Sequence, residues 1–177
     1  MGDPRVVSTF VLTLLFAPVL GSNATPSNVP TTSFTGRVYD LDYLHVQGWS
    51  QTLIQQSAGN SELAATTQDP LLQRILEVSL LNSIETTVTY QQGEPAKLQT
   101  ALVRSPTGCT QGSCVEQVKC DTTKAMCSAY IEGQSGEVTT DNARALGILL
   151  TAISKRKPVD YLQLNGHEIV RVKINAP

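Results

Sequence analysis

Few residues in this chain have both the type and the spacing for chemistry. His45 follows Asp40 and Asp42 and precedes Ser50, which supplies a base, an orienting carboxylate and a nucleophile. A hydrolase of that kind also needs a sharp nucleophile turn such as Gly-x-Ser-x-Gly, and the chain has none. His45 is therefore expected to be a half-exposed strand residue. Asp121 with Asp141, or Glu132 with Glu137, are carboxylate pairs of the sort used on glycosidic bonds. That chemistry is set by their separation in space, which the sequence does not fix. His167 and Glu168 follow Asn165-Gly166 and read as a solvated turn. Phosphate-loop, zinc-protease and calcium-loop patterns are absent from the sequence. No catalytic residue, cofactor or metal is assigned, and a non-catalytic role is expected.

Binding chemistry has better candidates. Trp49, the only tryptophan, follows Gly48 and stands beside Ser50 and Gln51. With Tyr43 it could stack on a sugar ring or an extended ligand, and its competing role is to anchor the core. Lys155, Arg156 and Lys157, with Arg171 and Lys173, form the one basic cluster. It suits anionic groups, although a helix end and a solvent-facing strand also explain it.

The four cysteines, Cys109, Cys114, Cys120 and Cys127, all lie in the second half. Their spacings lack Cys-x2-Cys, and His45 and His167 are remote, so disulfides are expected rather than zinc. Of the three pairings that four cysteines allow, Cys109–Cys114 with Cys120–Cys127 is favoured because each closes a short loop.

Export fits that cysteine usage. Residues 1–24 combine one Arg, an apolar run from Val6 to Leu20 and the small residues Gly21-Ser22-Asn23-Ala24, the layout of a signal peptide. The run is too short and too interrupted to be a spanning helix, which wants roughly 20 apolar residues. A secreted or periplasmic product without a transmembrane segment is expected. Residues 25–33, with Pro26 and Pro30, read as a flexible leader.

Net charge is −2. Residues 34–105 hold four Lys/Arg against seven Asp/Glu, and residues 108–177 hold eight against seven. Such a balance gives no electrostatic footprint for nucleic acid.

The elements that must position these side chains are written twice. Around Thr66, Thr-Thr-Gln-Asp-Pro leads into an apolar helix and then a strand pair turning near Gly93. About 73 residues later, around Thr139, Thr-Thr-Asp-Asn leads into another and then a pair turning at Asn165-Gly166. In the first unit, Phe34 to His45 reads as a strand with a phase slip near Asp40, the mark of a β-bulge. Trp49 to Gln56 returns, and Glu62 to Ala65 adds a short third strand. Thr67 or Asp69 caps a helix with Pro70 first. Leu71, Leu72, Ile75, Leu76, Val78 and Leu80 give that helix its apolar stripe. Strands from Ile84 and from Leu98 complete the unit.

The second unit repeats the order. Its strands are 114–120, 126–132 and 137–138, followed by a helix capped by Thr140 or Asp141 and ending near Lys155, then a hairpin of 159–164 with 168–174. The residue boundaries are 34–105 for the first unit, 106–112 for a linker and 113–177 for the second.

Three strands, a helix and two strands is the order of the OB-fold barrel. Residues 113–175, through "CVEQVKC" and "GEVTTDNARALGILLTAISKRKPVDYLQL", resemble the OB-fold B subunits of AB5 toxins, especially the Shiga type. The likeness is one of residue types, and it implies the fold while transferring no sugar-binding residue. The clustered cysteines depart from the single disulfide of those subunits. Fold class is thus α+β and β-rich, either two tandem OB-like units or one merged antiparallel sheet carrying two helices. The expected function is an exported binding or assembly module for carbohydrate or another protein. An oligomerising structural protein and a carboxylate hydrolase are the alternatives.

Overall fold

The computed structural model describes residues 30–44, 48–57, 59–105 and 113–174. The proposed export segment, most of the leader, the 106–112 linker, His45 and Cys109 lie outside those residues. Eleven strands and two helices make a β-rich α+β fold: β1 (Thr31–Leu44), β2 (Trp49–Gln55), β3 (Glu62–Thr67), α1 (Pro70–Asn82), β4 (Glu85–Gln91), β5 (Ala96–Arg104), β6 (Ser113–Asp121), β7 (Met126–Ile131), β8 (Glu137–Thr140), α2 (Ala143–Lys155), β9 (Pro158–Val159), β10 (Tyr161–Asn165) and β11 (Glu168–Lys173). β1 starts at Thr31, so Thr31, Thr32 and Ser33 are strand and not leader as the sequence suggested.

The first five strands close a barrel. β1 pairs antiparallel with both β2 and β4, β2 with β3, and β4 with β5. The circuit is completed by a parallel contact, Ala65↔Ala96 and Thr66↔Lys97. β1 is long because it serves two partners, passing from β4 to β2 at Arg37. Gly36 sits at this crossing, where a Cβ would collide with the Gln55 carbonyl, so a side chain there needs backbone movement. One residue later the register slips between Val38 and Asp40, leaving Tyr39 as the extra residue. The expected slip near Asp40 is this bulge.

In the second half β6, β7 and β8 run antiparallel in sequence. β8 meets β11 in parallel through Thr139↔Glu168, and β10 pairs with β11. The strand expected over 159–164 is broken at Asp160, whose N–H leaves the ladder and donates to the Lys173 carbonyl at 2.9 Å. Its first part, β9, instead pairs with the start of β6 at Ser113 and Cys114. β5 and β6 pair antiparallel from Thr100↔Asp121 to Arg104↔Gln117. All the strands therefore share one hydrogen-bonded network. A purely antiparallel merged sheet is excluded by the two parallel contacts.

Both helices are 13 residues long and are started and stopped by the same devices. Asp69 Oδ1 accepts from the N–H groups of Leu71 (2.8 Å) and Leu72 (3.0 Å), with Pro70 following where its missing N–H costs nothing. In α2 the cap is Asn142, not the expected Thr140 or Asp141. Its Oδ1 accepts from Arg144 and Ala145, while Thr140 Oγ1 is occupied by the N–H of Asn142. Thr67 Oγ1 likewise accepts from Asp69. Each helix ends at a left-handed non-glycine residue, Ser83 or Arg156. The two final N–H groups fold back there, Ile84 to Ser79 and Lys157 to Ala152, both at 2.9 Å.

The apolar stripes face inward as expected. Leu72, Ile75, Leu76, Leu146, Leu149, Leu150 and Ile153 join strand residues of both halves in one core cluster, each worth about 1.5–3 kcal/mol on burial. Leu80 and Ile148 only lean on that cluster. Gly147 faces Arg74, whose guanidinium lies 3.5 Å from where a Cβ would stand, an ordinary contact distance. Cys120 and Cys127, paired opposite each other on β6 and β7, are joined by a buried disulfide. Cys114 is disulfide-bonded as well. No helix among the described residues is long and apolar enough to cross a membrane.

Candidate binding cleft where the halves meet

At the end of β3 the chain turns into α1, and beside that turn lie the first residues of β2 and β5. Together they wall a cleft of about 250 Å³. Trp49 forms one side, Thr67, Gln68 and Asp69 the helix-entry side, and Lys97 with Leu98 the β5 side. The second half contributes Thr122, from the turn between β6 and β7.

Each part has a physical reason for its place. Gly48 adopts φ 63°, a left-handed conformation that lets the chain turn sharply into Trp49. Gln73, on the first turns of α1, reaches back with its amide Nε2 to donate to the Gly48 carbonyl at 3.2 Å and the Thr67 carbonyl at 3.4 Å. The loop before Trp49 is thereby tied to the helix. Lys97 arrives through the parallel ladder, being the partner of Thr66. Thr66 spends its hydroxyl proton on the Ala96 carbonyl at 3.4 Å.

Thr122 is held by a β-bulge. The β4–β5 register slips between Thr89↔Thr100 and Tyr90↔Leu98, which leaves Gln99 unpaired. The Gln99 carbonyl accepts instead from the Thr122 N–H at 2.9 Å. Asp121 builds the turn that carries Thr122, its Oδ1 accepting from the N–H of Thr123 (2.9 Å) and its hydroxyl (2.6 Å). Partial burial pushes the Asp121 carboxyl up. The two Thr123 hydrogen bonds and the nearby Lys124 and Lys119 outweigh that effect and hold it below its ordinary value.

Of the residues singled out from the sequence, Trp49 lies in the cleft and Tyr43 does not. Tyr43 pairs with Ser50, one step along the ladder from Leu44↔Trp49, and so projects from the opposite face. It lines a separate groove with Arg74 and Glu77. Lys155 and Arg156 are exposed at the end of α2, and neither they nor the half-buried Lys157 line the Trp49 cleft. Ser50 is buried at 2% exposure, whereas Asp40 and Asp42 are exposed, so these residues do not gather in one pocket. Tyr39 rises to about 12, chiefly because it hydrogen-bonds the Glu62 carboxylate and also through desolvation and the charges of Glu62 and Asp40. It belongs to a third groove. The described residues contain no cluster of three His, Cys, Asp or Glu suited to a metal.

Lys97, Gln68 and Thr122 escaped the sequence reading. Asp69 was legible only as a helix cap. Lys97 is one lysine in a hairpin and becomes a cleft residue solely through a parallel strand contact, and Thr122 does so through contact between the halves. Comparison with protein-family models, curated proteins and solved structures gives no match.

Proposed function

We propose that the protein is an exported, non-catalytic binding module of two OB-like units, whose ligand is a saccharide held against Trp49. The single observation that carries this reading is the cleft itself. A half-buried tryptophan faces hydroxyl, amide and ammonium groups at the meeting point of β2, β5 and the entry to α1. OB-type barrels commonly bind oligosaccharides near the loops joining strands one to two and four to five. Trp49 and Lys97 follow the corresponding connections here. Stacking on an indole face suits the apolar side of a sugar ring, and the surrounding polar groups suit its hydroxyls.

Several correspondences support the two-unit reading. The β1 bulge at Tyr39 has a counterpart in the β6–β7 slip at Glu116, and the β5 bulge at Gln99 has one in the β11 slip at Val170. Ser50, Thr52 and Ile54 alternate inward on β2, as Cys127, Ala129 and Ile131 do on β7. Export is supported by the N-terminal pattern and by the Cys120–Cys127 bond, which belongs in an oxidising compartment. A binding role is favoured over hydrolysis because Asp69, the one carboxylate among the described residues lining the cleft, is engaged as a helix cap.

A glycan array on purified protein, followed by calorimetry on the hits, tests this. Trp49→Ala is expected to weaken binding at least tenfold while leaving the circular dichroism spectrum unchanged. Retained affinity in that variant would move the site away from the cleft.

A further inference from the structure

We infer, resting on the saccharide reading above, that the ligand is acidic and places a carboxylate or sulfate group on Lys97. Among the described residues, exposed Lys97 is the only cation lining the cleft, and it forms no ion pair with any of them. An exposed ammonium group at a concave, partly apolar wall is available to a ligand anion.

The remaining lining groups point the same way. Asp69 would oppose an anion, but its Oδ1 accepts two backbone N–H groups at the start of α1, so its charge is partly offset by the helix end. Thr67 Oγ1 already accepts from the Asp69 N–H, which leaves its hydroxyl proton to donate. Gln68 adds amide N–H groups and Thr122 a second hydroxyl. These donors can bind ligand oxygens beside the Lys97 ammonium.

The ladder itself does not require a cation at this position. In the second half the corresponding parallel contact is Thr139↔Glu168, with the opposite charge where the first half has Thr66↔Lys97. The volume is below the roughly 300–1,000 Å³ of sites that enclose drug-sized ligands, so the cleft holds one acidic ring of a longer glycan.

Because Trp49 is the only tryptophan, its fluorescence reports on the cleft directly. The probes are an oligogalacturonate, a sulfated oligosaccharide and a neutral oligosaccharide of equal length. The acidic probes are expected to bind at least tenfold more tightly than the neutral one, and to weaken as salt rises. Response to one acidic probe alone identifies which anion the site takes. Lys97→Gln should bring the acidic and neutral affinities within about threefold, and Lys97→Arg should keep the preference. Equal binding of acidic and neutral probes by the native protein would overturn the acidic assignment and leave the saccharide reading standing. No response to any probe overturns both. Acidic binding that survives Lys97→Gln and disappears in a Lys155→Gln, Arg156→Gln variant would place the anion on the helix-end cluster instead, against this inference.

Discussion

The two halves solve the same mechanical problem with different side chains at matching positions. In the first, the cross-strand pair near the end of the opening hairpin is Tyr43↔Ser50. In the second, the same step along the ladder is Cys120↔Cys127, joined covalently. Beside these pairs, Trp49 opens β2 and Met126 opens β7. Among the described residues the first barrel is closed by long ladders from β4 to both neighbours, whereas β9 meets β6 at only two residue pairs. The covalent tie lies within the β6–β7 hairpin, six residue pairs long, and not at the short β6–β9 contact. The first half places a half-buried tryptophan where the second has an exposed methionine.

That contrast can be broken in several ways. The largest effect is expected in the core: Leu76→Ala in α1 and Leu149→Ala in α2 remove nearly inaccessible side chains and should each cost about 2–5 kcal/mol. Since β5 pairs with β6 and the helices pack together, both variants should shift one common denaturation transition. Two separated transitions in urea would mean that the halves fold independently. Next, replacing both Cys120 and Cys127 by alanine should lower stability by about 2 kcal/mol, as expected for a short loop. A native melting temperature in that variant would show that the bond adds nothing to the hairpin it spans.

The smallest effect concerns Asp121 and pH. Its carboxyl titrates below the ordinary 3.8 in the folded state. Its contribution is therefore present above that pH and is lost as pH falls through the lower folded value. Asp121→Asn keeps the acceptor oxygen and removes the charge. Native protein and variant should differ modestly in stability near neutrality and converge as acidification protonates the carboxylate. A constant gap throughout a series of acid urea melts would rule out the charge as the cause.

Much of the architecture was legible because it rests on local periodicity and local hydrogen bonds. The apolar spacing from Leu71 to Val78 defined α1, and Asp69-Pro70 marked its start. The slip near Asp40 was visible because a bulge shifts the inward face by one residue, and Asn165-Gly166 marked the last hairpin. Boundaries were less secure where polar residues compete. Thr140, Asp141 and Asn142 can each cap a helix, and the choice fell to Asn142 only when Thr140 turned its oxygen toward the Asn142 N–H. The break at Asp160 leaves a trace in the sequence, since Val159 lies on one parity and Leu162 with Leu164 on the other.

The sequence alone determined the order of the elements apart from the short β9, the buried stripes and the candidacy of Trp49, since each depends on neighbours within a few residues. Only the tertiary structure decided that Lys97 and Thr122 join Trp49 while Tyr43 turns away. Those outcomes depend on a parallel ladder, on a bulge carbonyl caught by a distant N–H, and on which pleat a residue occupies, and none of these is set by short-range spacing.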